Sequence, residues 1–374
     1  MNHSKMRITG IYTGWFGVAN WFLLLLLFVK HSAPVAFQLT YPPSTLQTED
    51  IFFSDSSYGW VLSNDNGQPT LFRTEDGGDT WIRKPLEANF YRVFFLNEKV
   101  GWSIAVNSLN GSAVLLSLYG THDGGKTWSY LSALNNIAGG PQADMIENFR
   151  FVDRQHGWFV GHRPGGVGLA VQTSDGGKSF REVAGVSGRE SLSSISAAGK
   201  DKLWIFGDNL IIASFDGGRT WTPQLDDIHP LDDRSVRLAS GLALTGGHGW
   251  AVGAPPLIIR TDDFGKHWRI ALERNDDWFT SVSFWDNEHG CAVGASIRMD
   301  CTNNGGKTWT SLSVLPSKEV HGHDIYRKIL FSSANRCWAI SEGGWLFRSD
   351  DGGHSWREAS LSSESARIPS KSSH

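Results

Sequence analysis

The chain has 374 residues, a formal charge of −4, 19% charged and 12% aromatic residues, and 42 glycines. No basic excess points to nucleic acid, and three cysteines in a chain this long are too few for a disulfide scaffold, so a buried core has to carry stability. No stretch after Phe37 shows a helical period of ten or more residues, which leaves an all-β body.

Lys5 and Arg7 precede Ile8 to Val29, an uncharged stretch of 22 residues that suffices to span a bilayer core. A cleaved signal peptide and a retained anchor are the two readings. The segment His31-Ser32-Ala33-Pro34-Val35-Ala36 offers no clean small-x-small cleavage site, and Pro34 hinders cutting after Ala33, so we favour the anchor. Lys5 and Arg7 on one side against Lys30 on the other keep the N-terminus cytoplasmic. Everything from about Phe37 is then expected on the exported side, periplasmic, lumenal or extracellular, and held to the membrane by residues 8–29. The expected organisation is a stub plus anchor or signal peptide over 1–36, one folded body over 37–360, and a disordered Ser-rich tail over 361–374.

The body is built from copies of one octet, Ser/Thr-x-Asp-x-Gly-x-Thr-Trp, ending at Trp81, Trp128, Phe180, Trp221, Trp268, Trp309 and Trp356. Its aspartate position holds Asp76, Asp123, Asp175, Asp216, Asp263, Asn304 and Asp351, spaced by 47, 52, 41, 47, 41 and 47 residues. A period in the forties signals a repeat architecture. Asp before glycines is tight-turn chemistry, so each octet predicts a hairpin whose Asp braces the turn and whose aromatic packs back from the departing strand. The octet resembles the Asp-box, or BNR repeat, of sialidases, some other glycosidases, sortilin-type receptors and photosystem II assembly factors. That resemblance implies a turn between the third and fourth strands of a β-propeller blade, away from the active face.

A second landmark precedes each box: Gly59-Trp60, Gly101-Trp102, Gly157-Trp158, Leu203-Trp204, Gly249-Trp250, Gly290-Cys291 and Cys337-Trp338. Seven residues before the Trp/Cys position stand Phe53, Phe95, Phe151, Ala197, Ala243, Phe284 and Phe331. Each unit therefore holds four short β segments, and seven such units describe a seven-bladed propeller with no room for a second domain. Phe37 to Thr40 is expected to help close the ring. Of 17 tryptophans, 12 fall on the two repeated positions, which marks them as packing between blades rather than as a ligand cage. Cys291 and Cys301 flank a short hairpin; directly opposed strand positions often miss disulfide geometry, so they are expected as small buried hydrophobes.

Whole-chain similarity is to the photosystem II stability/assembly factor family: one seven-bladed Asp-box propeller behind an export segment, with Gly-Trp-x-Val-Gly runs feeding the boxes. It covers about residues 37–360. The resemblance implies a non-enzymatic protein, with no cofactor, that holds a protein partner during assembly or repair of a membrane complex.

The uneven spacing arises from insertions on one rim, near Asn107 to Ser112, Leu134 to Asn148, Arg163 to Gly168, Asp226 to Arg237 and Pro316 to Tyr326. Loops on a rigid scaffold are where binding resides. Ten residues before each landmark stand Asp50, Arg92, Asn148, Ser194, Ser240, Ser281 and Lys328, placed at the starts of the innermost strands, where solvation accounts for their polarity. Arg92, Arg150, Arg163, Arg237, Arg327 and Lys328, with the loops around Trp278 and Tyr326, form the expected docking surface for an acidic protein or peptide segment. Asp227, Asp233 and Asp277 stand ready to neutralise it.

A glycosidase is the runner-up. Arg367-Ile368-Pro369 imitates a sialidase arginine motif, but it follows the last box and has Ala366 where an aromatic belongs. The rim carboxylates Asp226, Asp227, Asp232, Asp233, Asp276 and Asp277 supply candidates for a catalytic pair, although acidic loop residues are ordinarily solvated. His321-Gly-His323-Asp324 lacks the remaining ligands of a metal site. No catalytic residue and no metal are assigned, and the protein is expected to be a monomer.

Overall fold

The computed structural model describes residues 46–109, 113–134, 145–225, 235–274, 277–313 and 324–361. Their strands form seven antiparallel four-stranded sheets, each in simple sequence order. First strands of successive sheets lie against one another all the way round, the last against the first. The architecture is a closed seven-bladed β-propeller, with blades at residues 46–85, 90–133, 145–182, 192–223, 237–273, 279–313 and 326–358. All four strands of blade 7 come from its own unit. The contribution expected of Phe37 to Thr40, the apolar stretch Ile8 to Val29 and the tail 362–374 lie outside the described residues. Among the described residues no helix is long and apolar enough to cross a membrane.

The boxes sit on the turns between third and fourth strands, as their chemistry requires. In the first, Thr74 Oγ1 donates to Asp76 Oδ1 at 2.7 Å and accepts from Gly78 N at 2.8 Å, while Thr80 donates through N and Oγ1 to the Asp76 carboxylate. Gly77 and Gly78 have φ of 71° and 92°, which a side chain would resist. Burial opposes ionisation at Asp76, Asp123, Asp263 and Asp351, but the hydroxyl, ring and amide donors outweigh it and hold each carboxyl at about 2. Side-chain bonds from Ser179 and Thr220 likewise lower Asp175 and Asp216. In blade 6 the arrangement reverses: Asn304 Nδ2 donates to Thr308 Oγ1 at 2.7 Å.

The two repeated aromatics meet between blades. Trp60 stacks on Phe95 of the next blade with centroids 3.6 Å apart, Trp102 on Phe151 at 3.7 Å, and Trp250 on Phe284 at 3.6 Å. The same three indoles donate to the first glycine carbonyl of the next box, Gly124, Gly176 and Gly305. Where alanine replaces the phenylalanine, at Ala197 and Ala243, the indole finds a glutamine instead: Trp158 bonds Gln172 at 3.1 Å and Trp204 bonds Gln224 at 3.0 Å. The landmark tryptophans are buried, whereas the box residues Trp128, Trp221, Trp309 and Trp356 are only half-buried.

Blade 6 replaces its landmark tryptophan with a disulfide. Cys291 and Cys301 are directly opposed, their Cα atoms 4.1 Å apart, and they are bonded. The expectation of two unpaired hydrophobes fails because the closely spaced type of antiparallel pair brings the two side chains together. A Cβ built on Gly353, in the next box, would lie 3.0 and 3.5 Å from the two sulfurs, so the bridge fills the space that indoles fill elsewhere. Cys337 is a free buried thiol, pushed up to about 12 by desolvation.

Three outcomes follow from this packing. Trp60→Ala should destabilise the fold by about 3–5 kcal/mol in denaturant titration and Trp128→Ala by clearly less, since only the former is fully enclosed. Equal losses would contradict the seam packing. Under denaturing conditions a maleimide should label one thiol per chain without reductant and three with it. Because the box carboxyls titrate lower folded than unfolded, their contribution is complete above the unfolded value of about 4 and is lost as pH falls towards 2. Thermal melts should therefore change little with box ionisation above pH 5 and drop most steeply between about pH 4 and 2.

Candidate docking rim

Connections between blades and the hairpins joining second to third strands share the face opposite the boxes. Near this face every first strand carries a β-bulge, and the skipped residues are Glu49, Tyr91, Glu147, Ser193, Ala239, Thr280 and Arg327. The polar series Asp50, Arg92, Asn148, Ser194, Ser240, Ser281 and Lys328 comes directly after these bulges, inside the strands rather than at their starts. Asp50, Ser194 and Ser281 are buried, so solvation does not account for them. They tie blades together. Lys328 Nζ donates to Asp50 at 2.7 Å, Asp50 accepts from Val93 N at 2.9 Å, and Ser281 accepts from Ile329 N at 3.2 Å.

The bulged residues perform the same task. Tyr91 Oη donates to Ile146 O at 2.9 Å and Arg327 Nη2 to Thr48 O at 2.8 Å, while Ser193 bonds Leu238 O and Thr280 bonds Tyr326 O. In each case the acceptor is the carbonyl just ahead of the next blade's bulge. A bulge leaves backbone groups outside the ladder, and the neighbouring side chain satisfies one.

The predicted docking residues separate accordingly. Arg92 is half-buried, donates to Tyr91 O and to Glu147 O of the next blade, and lies over the Tyr91 ring. Arg327 also pairs with Glu49 at 3.6 Å. Arg163, which ends a second strand, pairs with Glu182 at 2.9 Å. Arg237 opens the first strand of blade 5, is exposed, and bridges Asp208 through the backbone. Burial raises the pKa of Asp208, with Arg237 working against it. Trp278 is exposed on the rim, 39% accessible.

Two residues do not belong there. Tyr326 is 1% accessible, edge-on to Phe347, and burial raises its hydroxyl pKa, so it packs the core and docks nothing. Arg150 sits opposite Trp158 at the far end of its strand, which begins at Met145, and lies over Phe94. Desolvation lowers its pKa. Asp226, Asp227, Asp232, Asp233, Asp276, His321 and His323 lie outside the described residues, within which no cluster could hold a metal ion.

The profile of the family described as "Photosynthesis system II assembly factor YCF48" matches residues 189–276 and 270–372. The fold superposes on a structure titled "YCF48 bound to D1 peptide" with a TM-score of 0.57 at 20% identity, over 83% of this chain and 93% of that one. For YCF48 from Cyanidioschyzon merolae the values are 0.59 and 17%, over 82% and 96%. The chain is a YCF48-like seven-bladed propeller. The WD40 propeller of Doa1 shares the fold at a TM-score of 0.56 and 13% identity, over 82% of this chain and 93% of that one. No curated protein sequence matches significantly.

One feature of the YCF48-like rim escaped sequence reasoning. Asp300, in the third strand of blade 6, is fully buried and accepts from Arg274 Nη2 at 2.7 Å, Arg298 Nε at 3.0 Å and Ser311 Oγ at 2.5 Å. Arg274 and Arg298 thus converge on one carboxylate, close in the chain to exposed Trp278. The adjoining turn puts Ser296 and Ile297 at φ 54° and 57°, uncommon for any side chain and costly for a β-branched one. Ile297 N donates to Asp324 O, and Ala295 N to Trp278 O. The signal was available: four residues before each box Asp stand Phe72, Tyr119, Val171, Ile212, Ile259, Asp300 and Phe347, so Asp300 is the one charge in an apolar series.

Proposed function

We propose that this propeller is a non-enzymatic, exported protein that holds an acidic segment of a partner protein on the rim of blades 5 and 6, during assembly or repair of a membrane complex. The observation that carries the reading is the buried Asp300 carboxylate. A charge this deep persists only when paired, and here it holds two half-buried arginines, Arg274 and Arg298, near an exposed tryptophan, the residue types that dominate interface energetics. The YCF48 profile and the peptide complex of a YCF48 structure support the partner class. We further propose that Ile8 to Val29 anchors the protein on the exported side of its membrane.

Crosslinked pull-down from membranes tests this. A variant with Arg237→Ala, Arg274→Ala and Trp278→Ala should retain at least about tenfold less partner than the parent, as expected for lost charge-assisted contacts. A variant with Lys126→Ala, Lys178→Ala and Lys307→Ala, all on the box face, should retain it fully. Equal retention by both removes the rim from the mechanism. An intact N-terminus that stays with membranes through carbonate washing is expected of the anchor.

A further inference from the structure

On the box face, blades 1, 2, 4, 5 and 7 each send a side-chain donor across to the next blade's box, and blade 6 sets its disulfide there. Trp60 reaches Gly124 O, Trp102 Gly176 O, Trp250 Gly305 O and Arg348 Nη1 Gly78 O, with Gln224 Nε2 donating to Phe264 O; in blade 6 the bridged Cys301 Sγ only packs near Gly353 O, 3.9 Å away. Three residues before the box Asp, blades 1, 5 and 7 also carry Arg73, Arg260 and Arg348, which lie against that next box. Between blades 3 and 4 this closure is missing. The inner phenylalanine is Ala197, the arginine position is Gln172, and Trp158 still packs against Gly218 of the next box but gives its hydrogen bond to Gln172 of its own blade. Among the described residues no side chain of blade 3 hydrogen-bonds to the box of blade 4.

Space remains between blades 3 and 4. A cavity of about 170 Å³, the size of one large side chain, lies between them, lined among others by Gln172, Val183, Gly218 and the half-buried Trp221. Its mouth carries Arg181 and Arg219, both exposed and, among the described residues, without an ion-pair partner. Its one lining carboxylate, Glu182, is taken by Arg163.

We infer that this seam is a second docking site, for an extended acidic peptide segment of a partner protein that inserts one apolar side chain beside Trp221 and sets flanking carboxylates on Arg181 and Arg219. Charge selects the occupant: two exposed guanidiniums, without an ion-pair partner among the described residues, beside Val183, Ala184 and the Trp221 indole repel a basic segment and favour an acidic one. The site lies on the opposite face from the rim of blades 5 and 6 and does not depend on that reading.

The probe is an end-blocked, fluorescein-labelled peptide Asp-Asp-Phe-Asp-Asp, titrated with the full chain and followed by anisotropy. Saturable binding is expected, and about tenfold weaker binding for its Asn-Asn-Phe-Asn-Asn analogue, from the loss of charged hydrogen bonds. Gln172→Arg, which installs the plug used by blades 1, 5 and 7, should weaken binding at least as much while the melting temperature is maintained. The double variant Arg181→Ala with Arg219→Ala changes exposed residues alone and should show the same loss, whereas Trp278→Ala should bind like the parent. Absence of saturable binding by the parent overturns the proposal. So does equal affinity of the parent and the double variant, or loss of binding in Trp278→Ala.

Discussion

The ring depends on an indole that crosses from one blade and ends beneath the glycine turn of the next. Stacking on the inner phenylalanine and donation to the box carbonyl act on the same ring, so the tryptophan fixes both the spacing and the rotation of its neighbour. This explains why a turn motif on the protein's periphery can set the geometry of its core. The Asp network holds the turn in the shape whose carbonyl receives the indole. Glycine is required there because any Cβ would intrude on the tryptophan: one on Gly78 would lie 2.3 Å from Trp338. Blades 3, 4, 6 and 7 depart from this arrangement: Trp158 bonds a glutamine of its own blade, Gln224 reaches across from blade 4, a disulfide replaces the indole in blade 6, and Arg348 makes the bond that Trp338 does not.

A second set of ties lies nearer the axis. The bulge in every first strand takes one residue out of the ladder, and Tyr91, Ser193, Thr280 and Arg327 turn their side chains from it to a carbonyl beside the next blade's bulge. At those four seams the defect is self-complementary. It also limits what the channel mouth can do: cations such as Arg92, Arg327 and Lys328 are committed to neighbouring backbones or to Asp50 and Glu49. Exposed charge is displaced outward to Arg237, while Arg274 and Arg298 are drawn in by Asp300.

Blade number, strand order and the placing of the boxes were legible because each rests on local chemistry repeated seven times. The errors fall where one position had to be placed in three dimensions. Lys328 and its equivalents were read as strand starts because a bulge leaves no compositional mark. Tyr326 and Arg150 were assigned to the rim by proximity in sequence, which cannot say which end or face of a strand a side chain occupies. The disulfide was dismissed because opposed positions alternate between two spacings, and sequence does not reveal which one Cys291 has. Asp300 was discoverable by aligning the units column by column, a comparison that distinguishes an odd residue from a merely polar one.

Among the described residues blade 7 is made entirely from its own unit, and no strand is exchanged between the two ends of the propeller. Closure rests instead on Phe53 and Trp81 meeting Trp338, and on Arg336 and Arg348 holding Gly77, Gly78 and Asp79. During synthesis, blades 1 to 6 can each find a neighbour as they emerge, but the outer face of blade 1 has none until the final unit is complete. For that interval two aromatic rings stand open to any chaperone or to a like chain, and the last event of folding is the meeting of two preformed surfaces. The charged part of that meeting makes it sensitive to ionic strength, so salt should slow maturation of the ring without altering the blades themselves.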